Sequence, residues 1–293
     1  MIPKEFEYAA PDTLDEALAL LAQHGDDAKI LAGGHSLIPL MKLRLAEPAV
    51  LIDLGRIADL RGIGFSRTSA AGIGAMTTYA DLVRAGATEG GNLALIAECA
   101  AQVGDAQVRT RGTIGGSLAH ADPAADLPAV ALALDARLDV AGPGGATRTV
   151  PAAEFFTGML TTAMEPGEIL TRIWLPAATE GSGTAYVKLR NKASHYALVG
   201  VAAVVTLGGD GTIAQAALGV TGATATPFRA AAAEAALAGG NPGNGAIDHA
   251  ASLVSGQEGN WMDDLHGSAD YRRHMAEVIA RRAIRLAVQR ARA

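Results

Sequence analysis

The chain has 293 residues, of which 49% are hydrophobic and 4% aromatic, and its formal net charge is −6. This acidic balance argues against a nucleic-acid partner, because attraction to phosphates needs a basic surface. No run of about eighteen strongly apolar residues predicts a membrane span. The acid-bearing start of the chain lacks the apolar core of a secretory signal, so we expect a cytoplasmic protein.

The chain contains one cysteine, Cys99, and this number limits its metal chemistry. An iron–sulfur cluster normally needs four thiolate ligands, so any such cluster must belong to another chain. His120 and Asp122 alone are poor evidence of a metal site, and we predict none. Cys99 falls in the apolar stretch Leu93–Ala100, where we expect a buried packing residue.

The first part of the chain predicts a small unit of helix, strand, glycine-rich turn and strand. Thr13 and Glu16 fit a capping box at the start of a helix, and Gly25 fits its end. A strand over Ala28–Leu31 leads directly into the glycine-rich turn. The apolar run Ala49–Leu54 predicts a second, buried strand.

The middle of the chain predicts more strands and helices around a second glycine-rich turn. Thr78 and Asp81 indicate a helix start and Gly104 a helix end, while Pro128 is tolerated only near the beginning of a helix. The predicted elements are a strand at Ala71–Ala75, a helix at Asn92–Val103, a helix from Pro128 and a closing strand at Glu168–Leu175.

The last part predicts a separate α+β unit after a linker at Pro176–Gly183, with a hairpin turn at Gly208–Gly211. The predicted strands are Thr184–Arg190, Val199–Leu207 and Ile213–Val220, and the predicted helices are Ala230–Ala238, Ile247–Val254 and Ala269 to the C-terminus. The arginines of the last helix predict a solvated face, with docking to an acidic partner as the alternative. These arginines are Arg281, Arg282, Arg285 and Arg290.

The two glycine-rich turns are Ala32-Gly33-Gly34-His35-Ser36 and Thr113-Ile114-Gly115-Gly116-Ser117. Glycine permits positive φ and has no Cβ, so consecutive amides can form a concave nest that holds an anion. Either turn alone also fits a purely structural tight turn. The pair, each closed by a serine, suggests a ligand with two adjacent phosphates. A dinucleotide pyrophosphate fits best, although the common Rossmann and P-loop signatures are absent.

Residues Ala32–Lys42 and Thr113–Ser117 resemble the flavoprotein, or medium, subunit of molybdenum hydroxylases. This is the family of the aerobic carbon monoxide dehydrogenase medium subunits and the xanthine dehydrogenase FAD domains. The resemblance covers nearly the whole chain, including Tyr186–Arg190 and Tyr271–Met275. It implies an α+β architecture, in which a vanillyl-alcohol-oxidase, or PCMH-type, FAD-binding fold precedes a C-terminal α/β domain. The implied units are two FAD-binding subdomains, 1–57 and 58–177, and a C-terminal flavoprotein domain, 184–293.

The resemblance also implies which residues bind FAD, and it nominates no catalytic residue. The two turns would bind the pyrophosphate through backbone amides, an aspartate would contact the cofactor, a leucine and a lysine would line the flavin ring, and a tyrosine would cover it. The implied cofactor-binding residues are Ala32, Gly33, Gly34, His35, Ser36, Leu37, Thr113, Ile114, Gly115, Gly116, Ser117, Asp126, Leu170, Lys188 and Tyr196.

Four of these residues have a plainer alternative. Asp126 has the position and chemistry of a helix N-cap, and Leu170 fits an ordinary strand core residue. Lys188 could extend to water, and Tyr196 could be a buried aromatic. If Lys188 does lie near the ring, its ammonium would stabilise the negative charge of the reduced form.

The family implies an FAD-binding electron-transfer subunit. Substrate would be oxidised at a molybdenum cofactor in a large partner chain. Electrons would pass through two 2Fe–2S clusters in a small partner chain to this FAD, and then to an external acceptor. The implied assembly is a dimer of heterotrimers, cytoplasmic or peripheral to the inner face of the membrane through the complex. Two alternatives stay open: a self-sufficient FAD-dependent oxidase or reductase, with a covalent flavin at His35 as one form, and a scaffold that has lost its cofactor.

Overall fold

The computed structural model describes residues 2–65 and 70–293, and its first sheet has three parallel strands in the order β1-β3-β2. Thr13 and Glu16 form the predicted capping box, and Gly25 ends the helix with a φ of 52°. The elements of this part are β1 (Glu7–Ala9), α1 (Leu14–His24), β2 (Ala28–Leu31), α2 (Leu37–Lys42) and β3 (Val50–Asp53). The predicted helix and both predicted strands are confirmed.

The second sheet has five antiparallel strands in the order β4-β5-β10-β6-β7. Thr78 and Asp81 form another predicted capping box, and Cys99 is fully buried as predicted. The strands, including a separate hairpin β8–β9, are β4 (Ile63–Phe65), β5 (Ala71–Gly74), β6 (Arg137–Ala141), β7 (Thr147–Pro151), β8 (Phe156–Gly158), β9 (Thr161–Thr162) and β10 (Ile169–Leu175). The helices are α3 (Tyr79–Glu89), α4 (Gly91–Ala101), α5 (Ala106–Arg111), α6 (Ile114–His120), α7 (Leu127–Ala133) and α8 (Ala152–Phe155).

The prediction that the second glycine-rich segment is a turn is wrong, because helix α6 begins at Ile114. Thr113 caps this helix, since its hydroxyl accepts a hydrogen bond from the Gly116 N–H at 3.1 Å. Two adjacent glycines are poor helix formers, which is why the sequence favours a loop here. Gly115 instead provides space, because a Cβ at this position would lie 2.5 Å from the Cβ of Ala75.

The third sheet is antiparallel, in the order β11-β12-β13-β14, and helix α11 packs against β11 and β12. Its elements are β11 (Ser182–Arg190), β12 (Ala197–Leu207), β13 (Ile213–Thr221), β14 (Phe228–Arg229), α9 (Ala231–Leu237), α10 (Asn244–Ser255) and α11 (Ala269–Ala291). Gly183 lets α11 approach β11 closely, since a Cβ there would overlap the carbonyl oxygen of Ala287. All predicted strands and helices of this part are confirmed within a few residues.

The predicted solvated face of α11 is confirmed for Arg282, Arg285 and Arg290, which are exposed, and three of the four arginines also pair with carboxylates of this chain. Arg281 lies 3.0 Å from Asp248, and Arg285 lies 2.8 Å from the same carboxylate. Arg290 lies 2.6 Å from Glu98 in α4. These ion pairs connect α11 to α10 and to the preceding part of the molecule.

Helix α7 joins the middle of the molecule to the C-terminal sheet, where it packs against β12 and β13. A Cβ at Gly219 of β13 would overlap the carbonyl oxygen of Ala129 in α7. Tyr186 and Ala202 of the third sheet share one buried cluster with α7. The predicted boundaries at residues 57 and 177 stay a prediction. In the described parts of the chain, no helix has the length and hydropathy needed to cross a membrane.

Candidate functional site

The first glycine-rich turn presents a run of amides without protein acceptors. Among the described residues, none accepts a hydrogen bond from the N–H groups of residues 33–37. Gly34 has a φ of 77°, and a left-handed residue within a turn lets neighbouring amides point into one concavity. This turn therefore has the backbone donors that an anion requires.

Four amides of the second segment, those of residues 114–117, already have acceptors in the protein. Ile114 donates to the carbonyl oxygen of Thr77 at 3.1 Å, and Gly115 donates to that of Ala75 at 2.8 Å. Gly116 donates to the capping hydroxyl described above. These bonds hold the start of α6 against β5 and the segment before α3. Contacts from these amides to a pyrophosphate stay a prediction, and they would require an exchange of hydrogen-bond partners.

The structure brings the two glycine-rich segments into contact. A Cβ at Gly33 would overlap the carbonyl oxygen of Arg111, and a Cβ at Gly116 would lie 3.4 Å from that of Ala32. The expected need for positive φ is met at Gly34 but is wrong for Gly33, which has negative φ. At Gly33 the side chain is excluded by the close approach of the two segments.

A cavity of about 290 Å³ borders both segments and has a cationic lining. Ala32 and Thr113 form part of its wall, next to three arginines, Arg56, Arg61 and Arg111. Tyr8 and Asp53 also line it and share a hydrogen bond of 2.6 Å. Three guanidinium groups against one lining carboxylate favour an anionic occupant, since arginine binds phosphate oxygens well.

A buried ion pair lies where the C-terminal sheet meets helix α7. Lys188 Nζ lies 2.9 Å from the carboxylate of Asp126, and their side chains are 0% and 5% exposed. The ammonium also donates to the carbonyl oxygens of Gln102, at 2.9 Å, and His195, at 2.8 Å. Tyr186 donates its hydroxyl proton to the other oxygen of Asp126. All three donors of the lysine are thus used inside the protein.

This cluster argues against the plainer alternatives for Lys188 and Asp126, whose contacts with FAD stay a prediction. Lys188 does not extend to water, because its side chain has no exposed area. Asp126 stands at the N-cap position of α7, but its side chain makes no capping hydrogen bond. Burial raises the pKa of the Asp126 carboxyl, while the charge and hydrogen bond of Lys188 lower it. Desolvation and the nearby Asp126 raise the pKa of Tyr186 well above its ordinary value.

Tyr196 and Leu170 lie in different surroundings. Tyr196 is 45% exposed, and its chain neighbour Ala197 donates a backbone hydrogen bond to Ala124 at 3.2 Å, beside Asp126. Partial burial, together with the carboxylates of Asp122 and Asp126, raises the pKa of Tyr196. Leu170 is only 4% exposed and packs in the core cluster of the second sheet. Its environment is the one expected of a strand core residue.

Several residues that contribute to this region were not identified from the sequence. Tyr186 could have been found, because it lies two positions from Lys188 on the same strand and therefore on the same face. His195 has a φ of 61°, and its ring Nδ1 lies 2.9 Å from the carbonyl oxygen of Gly104. No local pattern indicates this contact or the lysine bond to Gln102. The arginines of the cavity come from separate segments and carry no shared motif.

Comparisons with known proteins match this chain, over nearly its whole length, to flavoprotein components of molybdopterin dehydrogenases. Residues 4–178 match the family described as FAD binding domain in molybdopterin dehydrogenase, and residues 184–287 match the CO dehydrogenase flavoprotein C-terminal domain. The carbon monoxide dehydrogenase medium chain of Hydrogenophaga pseudoflava is 42% identical, with 98% of each chain covered. The 6-hydroxypseudooxynicotine dehydrogenase subunit alpha of Paenarthrobacter nicotinovorans is 38% identical, with 100% of this chain and 97% of the relative covered.

The fold has an equally similar counterpart among solved structures. A carbon monoxide dehydrogenase from Hydrogenophaga pseudoflava, which lacks the Mo-pyranopterin moiety of its molybdenum cofactor, contains a chain with a TM-score of 0.94 and 44% identity. The match covers 99% of each chain. The expected α+β architecture, an FAD-binding domain followed by a flavoprotein C-terminal domain, is therefore confirmed.

Proposed function

This chain belongs to the flavoprotein family of the molybdopterin dehydrogenases, and from that premise we propose that it is the FAD-binding electron-transfer subunit of a molybdenum hydroxylase complex. It would receive electrons from an iron–sulfur partner and deliver them to an external acceptor. When bound, FAD supplies the one- and two-electron redox chemistry that amino-acid side chains lack. The chain's own residues would bind and orient this group.

The donor set of the first turn is the observation that carries the proposal. A pyrophosphate presents several anionic oxygens, and residues 33–37 present consecutive amides with no other acceptor among the described residues. The cavity beside this turn is lined by three arginines, Arg56, Arg61 and Arg111, of which Arg61 also donates to the carbonyl oxygen of Gly55 at 2.8 Å. Amides and arginines are the groups that proteins use to bind phosphates. The residues present therefore fit the pyrophosphate of FAD.

We assign the pyrophosphate to the first turn, Ala32 to Leu37, with Thr113 to Ser117 forming the facing wall. Asp126, Lys188 and Tyr196 would lie at the flavin end, where the C-terminal domain meets α7. Leu170 would contribute to this end from the core beneath it. Because Lys188 is paired with a carboxylate, its field at the ring is partly cancelled. Its effect on the flavin would then be smaller than that of an isolated ammonium.

The partners follow from what this chain lacks and from its relatives. One cysteine cannot supply the four thiolates that an iron–sulfur cluster normally needs, so we assign the two 2Fe–2S clusters to a small partner and the molybdenum cofactor to a large one. Two relatives of similar identity are named for carbon monoxide and for 6-hydroxypseudooxynicotine. We therefore assign the choice of substrate to the large partner, and the assembly to a dimer of heterotrimers.

The visible absorption spectrum of this chain, purified gently from its native host, tests the proposal. Flavin bands superposed on broad iron–sulfur absorption, with two partner chains that elute together with it, are expected. Flavin bands from this chain alone would instead indicate a self-sufficient flavoenzyme, and a colourless complex would contradict FAD binding. Acid precipitation adds a second result: noncovalent flavin is released, whereas flavin linked to His35 would stay with the protein.

A further inference from the structure

Lys188 connects three segments that are distant in the chain. It stands on β11, while two of its acceptors, Asp126 and the carbonyl oxygen of Gln102, belong to the preceding FAD-binding part. Its third acceptor is the carbonyl oxygen of His195, in the loop between β11 and β12. The ammonium therefore fixes this loop relative to the ends of α4 and α7.

The loop formed by residues 191–196, called the Tyr196 loop below, is closed by its own hydrogen bonds. His195 N–H donates to the carbonyl oxygen of Asn191 at 3.0 Å, and Asn191 N–H donates to that of Tyr196 at 2.8 Å. The Asn191 side chain accepts from the amide N–H groups of Ala193 and Ser194. A compact loop of this kind moves as one body, so a few external contacts set its position. One of them joins the side chain of Asn191 to the ring Nδ1 of His266 at 3.2 Å.

Two further hydrogen bonds, one to the backbone and one to the side chain of His195, attach the Tyr196 loop to the rest of the protein. The carbonyl oxygen of His195 accepts from Lys188, and the His195 ring bonds to the carbonyl oxygen of Gly104. His195 also has a φ of 61°, a conformation that non-glycine residues adopt only when the surroundings hold it. Tyr196 is the next residue, so its place depends directly on these hydrogen bonds.

We propose that Lys188 is a positioning residue, which holds the His195 carbonyl oxygen and thereby places Tyr196 at the edge of the candidate site. The expected effect on flavin binding rests on the proposed function, because the position of Tyr196 affects FAD only if FAD binds beside it. The lysine acts through the loop, since none of its donors is left for a ligand. This role differs from a direct contact between the ammonium and the flavin ring.

The test compares proteins that differ only in Lys188. Lys188→Met alone would leave the Asp126 carboxylate buried without its counter-charge, which can prevent folding. Asp126→Asn is used as the background, and Asp126→Asn/Lys188→Met, which removes both charges, is compared with it. Because Asp126→Asn leaves the buried lysine without its counter-charge, circular dichroism first establishes that it folds. If it does not fold, Asp126→Asn/Lys188→Gln, which keeps a side-chain donor at this position, takes its place. Lys192→Met is the matched control, because Lys192 is an exposed lysine of the same loop.

Hydrogen exchange of the flavin-free chain gives the first result. In the wild type, the amides of Asn191 and His195 should exchange slowly, as in the adjacent strands. In Asp126→Asn/Lys188→Met they should exchange about tenfold faster or more than in Asp126→Asn, while β12 and β13 stay protected. The Lys192→Met control should match the wild type. Fast exchange of both amides in the wild type, or equal exchange in the two compared variants, would refute the positioning role.

FAD titration gives the second result and tests coupling to Tyr196. Lys188→Met and Tyr196→Ala, each in the Asp126→Asn background, should weaken FAD binding about tenfold, and the combination should weaken it no further. Additive losses would show that Lys188 acts independently of Tyr196 and would overturn the proposal. A wild-type protein that binds no FAD would count against the proposed function instead. The exchange experiment would still decide the role of Lys188.

Discussion

At the scale of single residues, the glycines of the site serve two different physical needs. Gly34 has the left-handed conformation that the nest of free amides requires. Gly33 and Gly115 have negative φ and are surrounded by backbone at close range. A sequence shows that glycine is present but not which of these needs it meets. That distinction depends on the segment packed against each glycine.

We predict that Gly33→Val and Gly115→Val each abolish FAD retention. At Gly33 the new side chain would overlap Arg111 and push the two glycine-rich segments apart. At Gly115 it would overlap Ala75 and displace the start of α6 from the residue that follows β5. Flavin content after gel filtration measures the effect. Gly209→Val is the matched control, because nothing lies within 4 Å of a Cβ there. Full flavin occupancy in either site variant would contradict the assignment of that segment.

A second residue-scale prediction concerns Asp264, which accepts two hydrogen bonds from the buried Arg272. Although burial opposes ionisation, the hydrogen bonds from Arg272 hold the pKa of Asp264 below its usual value. A lowered folded-state pKa stabilises the fold above the ordinary aspartate pKa of about 4, and this contribution is lost as pH falls through the folded value. Asp264→Asn should cost about 1–2 kcal/mol at pH 7, because Arg272 loses its counter-charge, while exposure of Asp264 to water weakens the pair.

The melting temperatures of wild type and Asp264→Asn, measured at pH 7 and pH 3, check this expectation. At pH 7 the wild type should melt at a clearly higher temperature than Asp264→Asn. At pH 3 the difference between the two melting temperatures should be smaller. An equal difference at both pH values would show that the carboxylate of Asp264 is not the source of the stabilisation.

At the scale of elements, helix starts could be predicted wherever their signals are local. The capping boxes at Thr13 and Thr78 lie within four residues of chain, and the structure contains both. Helix α6 could not be predicted, because its start depends on acceptors from distant segments, the carbonyl oxygens of Thr77 and Ala75. Those long-range partners compensate for the low helix propensity of Gly115 and the glycine after it.

We predict that Thr113→Ala destabilises the protein by about 1 kcal/mol, because α6 loses its N-cap hydrogen bond. Thr113→Ser should retain most of the stability, since the hydroxyl that accepts from Gly116 is kept. Urea denaturation followed by circular dichroism measures both variants. Equal losses in the two would show that packing of the Thr113 methyl group, rather than the cap, sustains this helix.

At the scale of the whole molecule, the FAD-binding part and the C-terminal sheet are joined by close backbone packing. Gly219 of β13 contacts the backbone of α7 at a distance that excludes any side chain. Residues of both parts also share one buried core cluster. The sequence could predict the strands and helices on each side, but not this joint. Glycine in a strand has many uses, and its partner lies about ninety residues earlier in the chain, so no local pattern links them.

We predict that Gly219→Ala lowers stability by about 1–3 kcal/mol and loosens this joint. Trp174 lies in β10 and Trp261 in the C-terminal part, so Trp261→Phe and Trp174→Phe backgrounds each leave one tryptophan to report the unfolding of its own side. Their fluorescence transitions in urea should coincide with Gly219 present and separate in Gly219→Ala. Gly64→Ala is the control, because its Cβ would meet open space. Coincident transitions in Gly219→Ala would show that the joint does not depend on this contact.

The placement of the buried ion pair restricts how this protein can be recombined with its relatives. Its cation lies on β11, whereas its carboxylate precedes α7, so a junction drawn between the two matched family segments separates them. A chimaera that took residues 184–293 from another member would inherit the lysine only if that member also has one at position 188. Without it, Asp126 would be left buried without a counter-charge where the two parts meet. The two halves are therefore exchangeable only as electrostatically matched pairs.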